Sequence, residues 1–195
     1  MSMNNIKTIV TIKILSGPRE GQLEKEVRSY AEADHLRVGD RFSEFEGDDR
    51  MMDRWEVVEI QHTSTITLTR NQARASLHSL DQAIRFAEDR LAESRVEVHR
   101  STITRSLEVK KSLRNRIDGQ LAFLTSRPVS GGGESLYMDM TAREISALRA
   151  ALGLFGGGDL SVGFPTHKAG LDHMSAYLNI ERLNIYRARN GKAVS

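Results

Sequence analysis

Apolar and polar residues alternate in the first third of the chain, recur at helical spacing through the middle, and are interrupted by two glycine triplets in the last third. Ile6, Thr8, Val10, Ile12 and Ile14 line one alternating face, with Ile9 and Leu15 on the other. This predicts a strand with both faces partly apolar. Gly17-Pro18-Arg19-Glu20-Gly21 is a turn cluster. Leu23 to Tyr30 fits a returning strand, and Leu23, Val27 and Tyr30 fit a short helix equally well. Gly39-Asp40 precedes Phe42 and Phe45. Trp55–Ile60 and Thr65–Thr69 read as two β-branched strands joined across His62–Ser64. Trp55, opening the stronger of the two, is expected to be at least partly buried. Short strands at this density predict a small barrel or curled sheet over residues 1–70.

The period then changes. Ala73, Leu77, Leu80, Ile84, Ala87 and Leu91 recur at alternating steps of four and three, the seam of a helix that packs on another helix. Asp81 and Arg85 stand at the i,i+4 spacing of a surface ion pair. Val96, Val98, Thr102, Ile103 and Thr104 are β-branched and weaken the helix. Leu113, Ile117, Leu121 and Leu124 restore it over 105–126. Residues 71–127 therefore form a helical hairpin or one long helix. Arg127 to Gly133 opens a glycine-rich linker over 128–135. Within 136–195, a small α/β unit, Leu136–Met140 reads as a strand. Thr141-Ala142-Arg143-Glu144 has the form of a capping box, starting a helix that stops at Gly153. Leu171–Arg189 reads as a helix followed by a strand. The fold class is α+β.

Thr141 to Gly153 locally resembles the first helix of a LuxR-type helix-turn-helix. Gly156–Gly158 and Phe164-Pro165 do not continue that motif, so no role passes to these residues from the resemblance.

Cysteine is absent, which excludes disulfides and thiolate chemistry and favours a reducing, cytoplasmic setting. No signal peptide or membrane-spanning run is evident. The formal charge is +2. Residues 1–70 carry 10 basic and 13 acidic side chains, and residues 101–195 carry 13 and 8. Two halves of opposite sign can attract one another or face different partners.

Candidate chemistry is sparse. Gly131–Gly133 and Gly156–Gly158 lack the lysine spacing of a phosphate loop. No two of the six histidines have the His-x3-His spacing of a zinc site on a helix; His167, Asp172 and His173 come nearest to a cluster. Glu44, Glu46, Asp48, Asp49 and Asp53 read as a solvated hairpin tip. Glu108-Val109-Lys110 has a nuclease-like spacing without the other acidic ligands. No catalytic residue, cofactor or metal is assigned.

The expectation is a non-catalytic binding and assembly protein acting as an oligomer through Ala73, Leu77, Leu80, Ile84, Ala87 and Leu91, with a protein partner and no membrane. An accessory or inhibitor protein of a mobile element is a context this make-up fits, though no residue points to it. The runner-up is a nucleic-acid-binding protein using the basic stretch 100–116, with Arg105, Lys110, Lys111, Arg114 and Arg116 on phosphates. A third reading is a small-ligand binder, nucleotide-like, or a hydrolase using the loops Gly131–Ser135 and Gly156–His167.

Overall fold

The computed structural model describes residues 6–33, 35–46, 50–125 and 135–190; at residues 30, 44–46, 50–53 and 125 it describes the backbone alone. The elements are β1 (Ile6–Ile14), β2 (Leu23–Ser29), α1 (Tyr30–Ala33), β3 (Arg41–Glu46), β4 (Arg50–Thr69), α2 (Arg70–Glu93), α3 (Glu97–Thr125), β5 (Ser135–Thr141), α4 (Ala142–Phe155) and α5 (His167–Arg189). The fold is mixed α+β. Four strands run in the order β2-β1-β4-β3, and β5 also pairs with β4. The antiparallel sheet is open, which corrects the expected barrel. Its path ends at β2 and β3, and among the described residues no pairing between them closes it. Two compact units are present, residues 1–65 with 184–195, and residues 66–183.

In the first unit the alternation of β1 puts Ile6, Val10 and Ile12 inside. Val10, Ile12, Ala33, Leu36 and Val57 form a core against which Phe42, Trp55 and Ile60 pack. Trp55 stacks on Phe42 with ring centroids 6.3 Å apart. Leu23–Ser29 is the returning strand, and a single helical turn follows it. Gly17 and Gly21 close the hairpin with φ of 92° and 82°, a region that glycine enters freely.

The two strands expected at 55–60 and 65–69 are one strand of 20 residues. His62, Thr63 and Ser64 are polar, but the segment has no glycine, proline, asparagine or aspartate to fix a turn. They pair instead with Thr8, Lys7 and Ile6 of β1. Thr63 and Ser64 are buried. The pairing partner thus decides a segment that polarity alone marks as a break.

In the second unit Ile66, Leu68, Leu136, Met138 and Met140 come from strands and Leu80, Leu113, Ile117, Ile145, Leu148 and Leu152 from helices, all with essentially no exposure. Two strand-to-helix junctions have the same chemistry. Thr69 ends β4 and caps α2, accepting from the Gln72 amide while the Gln72 side chain accepts from the Thr69 amide. Thr141 ends β5 and caps α4 with Glu144 in the same reciprocal way. Each box satisfies two amide donors that a helix start leaves unpaired.

Helices α2 and α3 are separated by residues 94–96 and pack on each other. Pairs Arg114–Asp81 and Lys111–Glu88 fix them as antiparallel. Asp81 therefore meets Arg114 across the hairpin, and not Arg85 on its own helix. The turn needs no glycine because Ser94, at the end of α2, is extended with φ −73° and not left-handed, and Arg100 Nη1 donates to the carbonyls of Leu91 and Ser94. Helix α3 begins at Glu97, ahead of the expected 105. β-Branching costs only a few tenths of a kcal/mol per residue, and the Ser101 and Thr102 hydroxyls donate to the Val98 carbonyl.

Helix α4 continues past Gly153 to Phe155 and is capped at Gly156. The expected helix-then-strand at 171–189 is one helix, α5. From Gly170 its buried positions continue through Met174, Leu178, Glu181, Ile185 and Ala188 at steps of four and three, and no glycine or proline interrupts residues 171–189. The Gly131–Gly133 linker lies outside the described residues. Among the described residues no helix is long and apolar enough to cross a membrane.

Candidate functional site

Helix α4 crosses the hairpin near its middle. Arg116 of α3 pairs with Glu144 at the start of α4, and Ser79 of α2 lies at its end, donating to the Phe155 carbonyl. Beyond that crossing, toward residues 94–96, α2 and α3 pack on each other, and Phe155 at the end of α4 meets Phe86. Two helices bury one stripe apiece, so apolar side chains off the shared stripe stay in water. Phe86 remains 49% exposed and Val96 52%.

These residues shape a groove of about 660 Å³ along the two helices. Its apolar lining is Phe86, Ala87, Val96 and Ile103, and its polar lining includes Arg90, Arg95, His99 and Lys110, with Glu93 the one carboxylate. Phe86 is held from one side by Phe155, with centroids 5.9 Å apart. Arg90 lies over its ring at 5.8 Å, a cation–π contact. Lys110 Nζ donates to Ser106 Oγ at 2.9 Å. Burial of the Lys110 ammonium lowers its pKa from the ordinary lysine value. The groove thus has an apolar floor and an excess of cations. From His99 to Lys110 it runs about three helical turns.

No known protein family, curated protein or solved structure matches this chain.

The five cations expected to touch phosphate do not form a free stripe. Arg105 is exposed. Lys110 lines the groove. Lys111 pairs with Glu88 at 2.7 Å. Arg114 bonds Asp81 at 3.1 Å and Asp118 at 2.8 Å, and the Asp81 hydrogen bond raises its pKa further. Arg116 pairs with Glu144 and donates to the Asp139 carbonyl at 2.5 Å. A phosphate at the last three sites has to compete with carboxylates already in place.

In the α2 seam, Ala73, Leu80 and Ala87 are buried, whereas Leu77, Ile84 and Leu91 are partly exposed. Helix α2 packs on α3 and α4 of its own chain. The Gly156–Gly158 loop lies directly on α2. A Cβ at Gly157 would stand 1.9 Å from the His78 ring, and one at Gly158 2.9 Å from the Ala75 Cβ. Gly157 N–H donates to Ser79 Oγ at 3.1 Å. At Gly158 a φ of 78° and close approach to the Ala75 backbone both call for glycine, whereas at Gly157 the atoms met belong to the exposed His78 side chain.

His173 packs on Phe164 at 4.6 Å. Among the described residues no group of three or more histidines and carboxylates is placed to hold a metal ion. Asp48 and Asp49 lie outside the described residues, as do the side chains of Glu44, Glu46 and Asp53. Sequence reading passed over Phe86, Arg90, Arg95 and His99. One signal was available, since Phe86 is a large apolar residue off the α2 seam with Arg85 immediately before it.

Proposed function

We propose that this protein is a non-catalytic binding and assembly module, whose α2–α3 hairpin receives an acidic amphipathic segment of a partner protein in the groove beside Phe86. The half-exposed Phe86 on the floor of a cation-bordered groove is the observation that supports it. An amphipathic helix placed there buries its apolar stripe on Phe86, Val96 and Ile103, the helix-in-groove mode of recognition. Acidic residues flanking that stripe meet Arg90, Arg95 and Lys110. Complementary charge of this kind speeds encounter and selects among partners.

The test is fluorescence anisotropy with two labelled amphipathic peptides sharing one apolar stripe, one flanked by glutamate and the other by lysine. The acidic peptide should bind and weaken as salt rises, and Phe86→Asp and Lys110→Glu should each weaken it about tenfold or more. Equal binding of both peptides, or no change in either variant, refutes the reading.

A further inference from the structure

Strand β2 stands at the end of the sheet path, with β1 on one side and, among the described residues, no strand on the other. Which backbone groups face that open side follows from the hairpin. Ile14 N–H donates to the Gln22 carbonyl, and Gly21 N–H donates to the Ile14 carbonyl. Counting along the antiparallel register, Glu24, Glu26 and Arg28 turn their amides and carbonyls toward Ile12, Val10 and Thr8 of β1. Leu23, Lys25 and Val27 turn theirs outward, as does Ser29, whose N–H already donates to Glu32 Oε2 at 2.9 Å and closes that end of the edge. Their side chains also stand in water; Leu23 and Val27 are each 64% exposed.

An edge of this kind invites any strand, and proteins commonly guard it with charge. Here the guard is selective. Glu26 and Arg28 flank Val27 with opposite charge and already pair with one another at 2.6 Å. A two-fold axis through Val27 and perpendicular to the sheet places Glu26 opposite Arg28 of a second copy, and Arg28 opposite Glu26. Val27 then meets Val27 of that copy, exchanging two backbone hydrogen bonds, and Lys25 faces Ser29. Shifting the axis to Glu26 keeps Glu24 opposite Arg28 but puts two glutamates face to face and loses the Val27 pair. Shifting it to Lys25 opposes two lysines, and Glu24 with Glu26 as well. Like charges directly opposite destabilise a strand pair, and opposite charges or β-branched pairs stabilise it.

We infer that β2 is a self-association edge, joining a second copy of this chain by antiparallel pairing centred on Val27 and making one sheet continuous across two molecules. The occupant is the chain itself because the charge order about Val27 is self-complementary. A strand without a cation and a carboxylate two residues apart leaves Glu26 or Arg28 facing an unmatched group, and a second copy supplies both. This inference is independent of the groove.

Sedimentation equilibrium of the full chain should show a concentration-dependent dimer. Arg28→Glu should raise its dissociation constant about tenfold or more, since two attractive cross-strand pairs become repulsive. The charge swap Glu26→Arg with Arg28→Glu should restore the dimer, which separates loss of pairing from loss of fold. The chain has no cysteine, so an introduced one reports register. Opposed residues in a hydrogen-bonded pair have Cα atoms about 5.5 Å apart, within disulfide reach. Val27→Cys should therefore give a disulfide-linked dimer on oxidation, and Lys25→Cys should not. A monomer at every concentration, a dimer indifferent to Arg28→Glu, or Lys25→Cys linking as readily as Val27→Cys overturns the inference.

Discussion

Replacing Gly170 by alanine pits helix propensity against packing, and the geometry decides the sign. Gly170 lies in the first turns of α5, where alanine is intrinsically favoured by about 1 kcal/mol. A Cβ at this position would stand 1.7 Å from the Leu160 carbonyl oxygen, 2.4 Å from its carbon and 3.1 Å from the Ser161 nitrogen. These are backbone atoms, so no side-chain rotation relieves the contact, and the gap has to open to about 3.0 Å. The loop resists. Phe164 N–H donates to the Ser161 carbonyl at 2.7 Å, Ser161 N–H donates to Asp159 Oδ1 at 2.9 Å, and Leu160 is only 2% exposed. Forcing a methyl group into a packed site costs about 1–3 kcal/mol. Partial expulsion of Leu160 adds some of the roughly 1.5–3 kcal/mol that burying such a side chain contributes. Gly170→Ala is therefore expected to destabilise the fold by about 1–3 kcal/mol after the helix gain is subtracted. Gly119 in α3 is the control, because a Cβ there meets nothing within 4 Å. Gly119→Ala should stabilise by about 0.5–1 kcal/mol. Urea unfolding followed by helical ellipticity measures both. A Gly170→Ala midpoint at or above that of the wild type refutes the packing argument.

Ser79→Ala removes the only hydroxyl that both accepts from Gly157 N–H and donates to the Phe155 carbonyl. It should cost about 0.5–1.5 kcal/mol by leaving two half-buried groups without this partner, and Ser79→Thr should recover little, since Ser79 has no exposed surface; equal midpoints for Ser79→Ala and wild type contradict this. Burial, helped by the nearby Arg189 charge, holds the His62 imidazole below its ordinary pKa. The unfolded chain then takes up the proton more readily, so the stabilising difference is complete above about pH 6.5 and is lost as pH falls through the folded pKa. His62→Gln should flatten the stability profile over that window; an unchanged slope from pH 7 to 5 contradicts the assignment.

The parts of the fold legible in the sequence are those where local chemistry and final environment agree. The α2 spacing and the Thr141 box announce their elements because caps and stripes are local devices. His62–Ser64 misleads because its strand conformation is imposed by β1, more than fifty residues earlier in sequence. Leu183–Tyr186 misleads because four residues suit either period, and only Ile185 and Ala188 extend the helical one. The basic stretch 100–116 is evident as charge density. Its ion-pair partners Asp81, Glu88 and Glu144 come from other helices, so density alone does not distinguish free cations from engaged ones. The groove escaped notice because neither α2 nor α3 carries it alone. Gly156–Gly158 reads as a loop, whereas close approach to Ala75 and the positive φ of Gly158 are what exclude larger residues at that position.

At Thr69 and Thr141 the last residue of a strand is also the cap of the next helix, with no spacer between. Each helix therefore inherits its rotational phase from the pleat of the strand before it. Adding or deleting one residue at either junction would turn the helix by about 100° and invert the facing of the strand end. Leu80 or Leu148 would swing out of the interior, and no slack segment exists to absorb the error. Variation in length is thus barred at these two points, and the turn at residues 94–96 is where the helical part of the chain can change size without losing its phase.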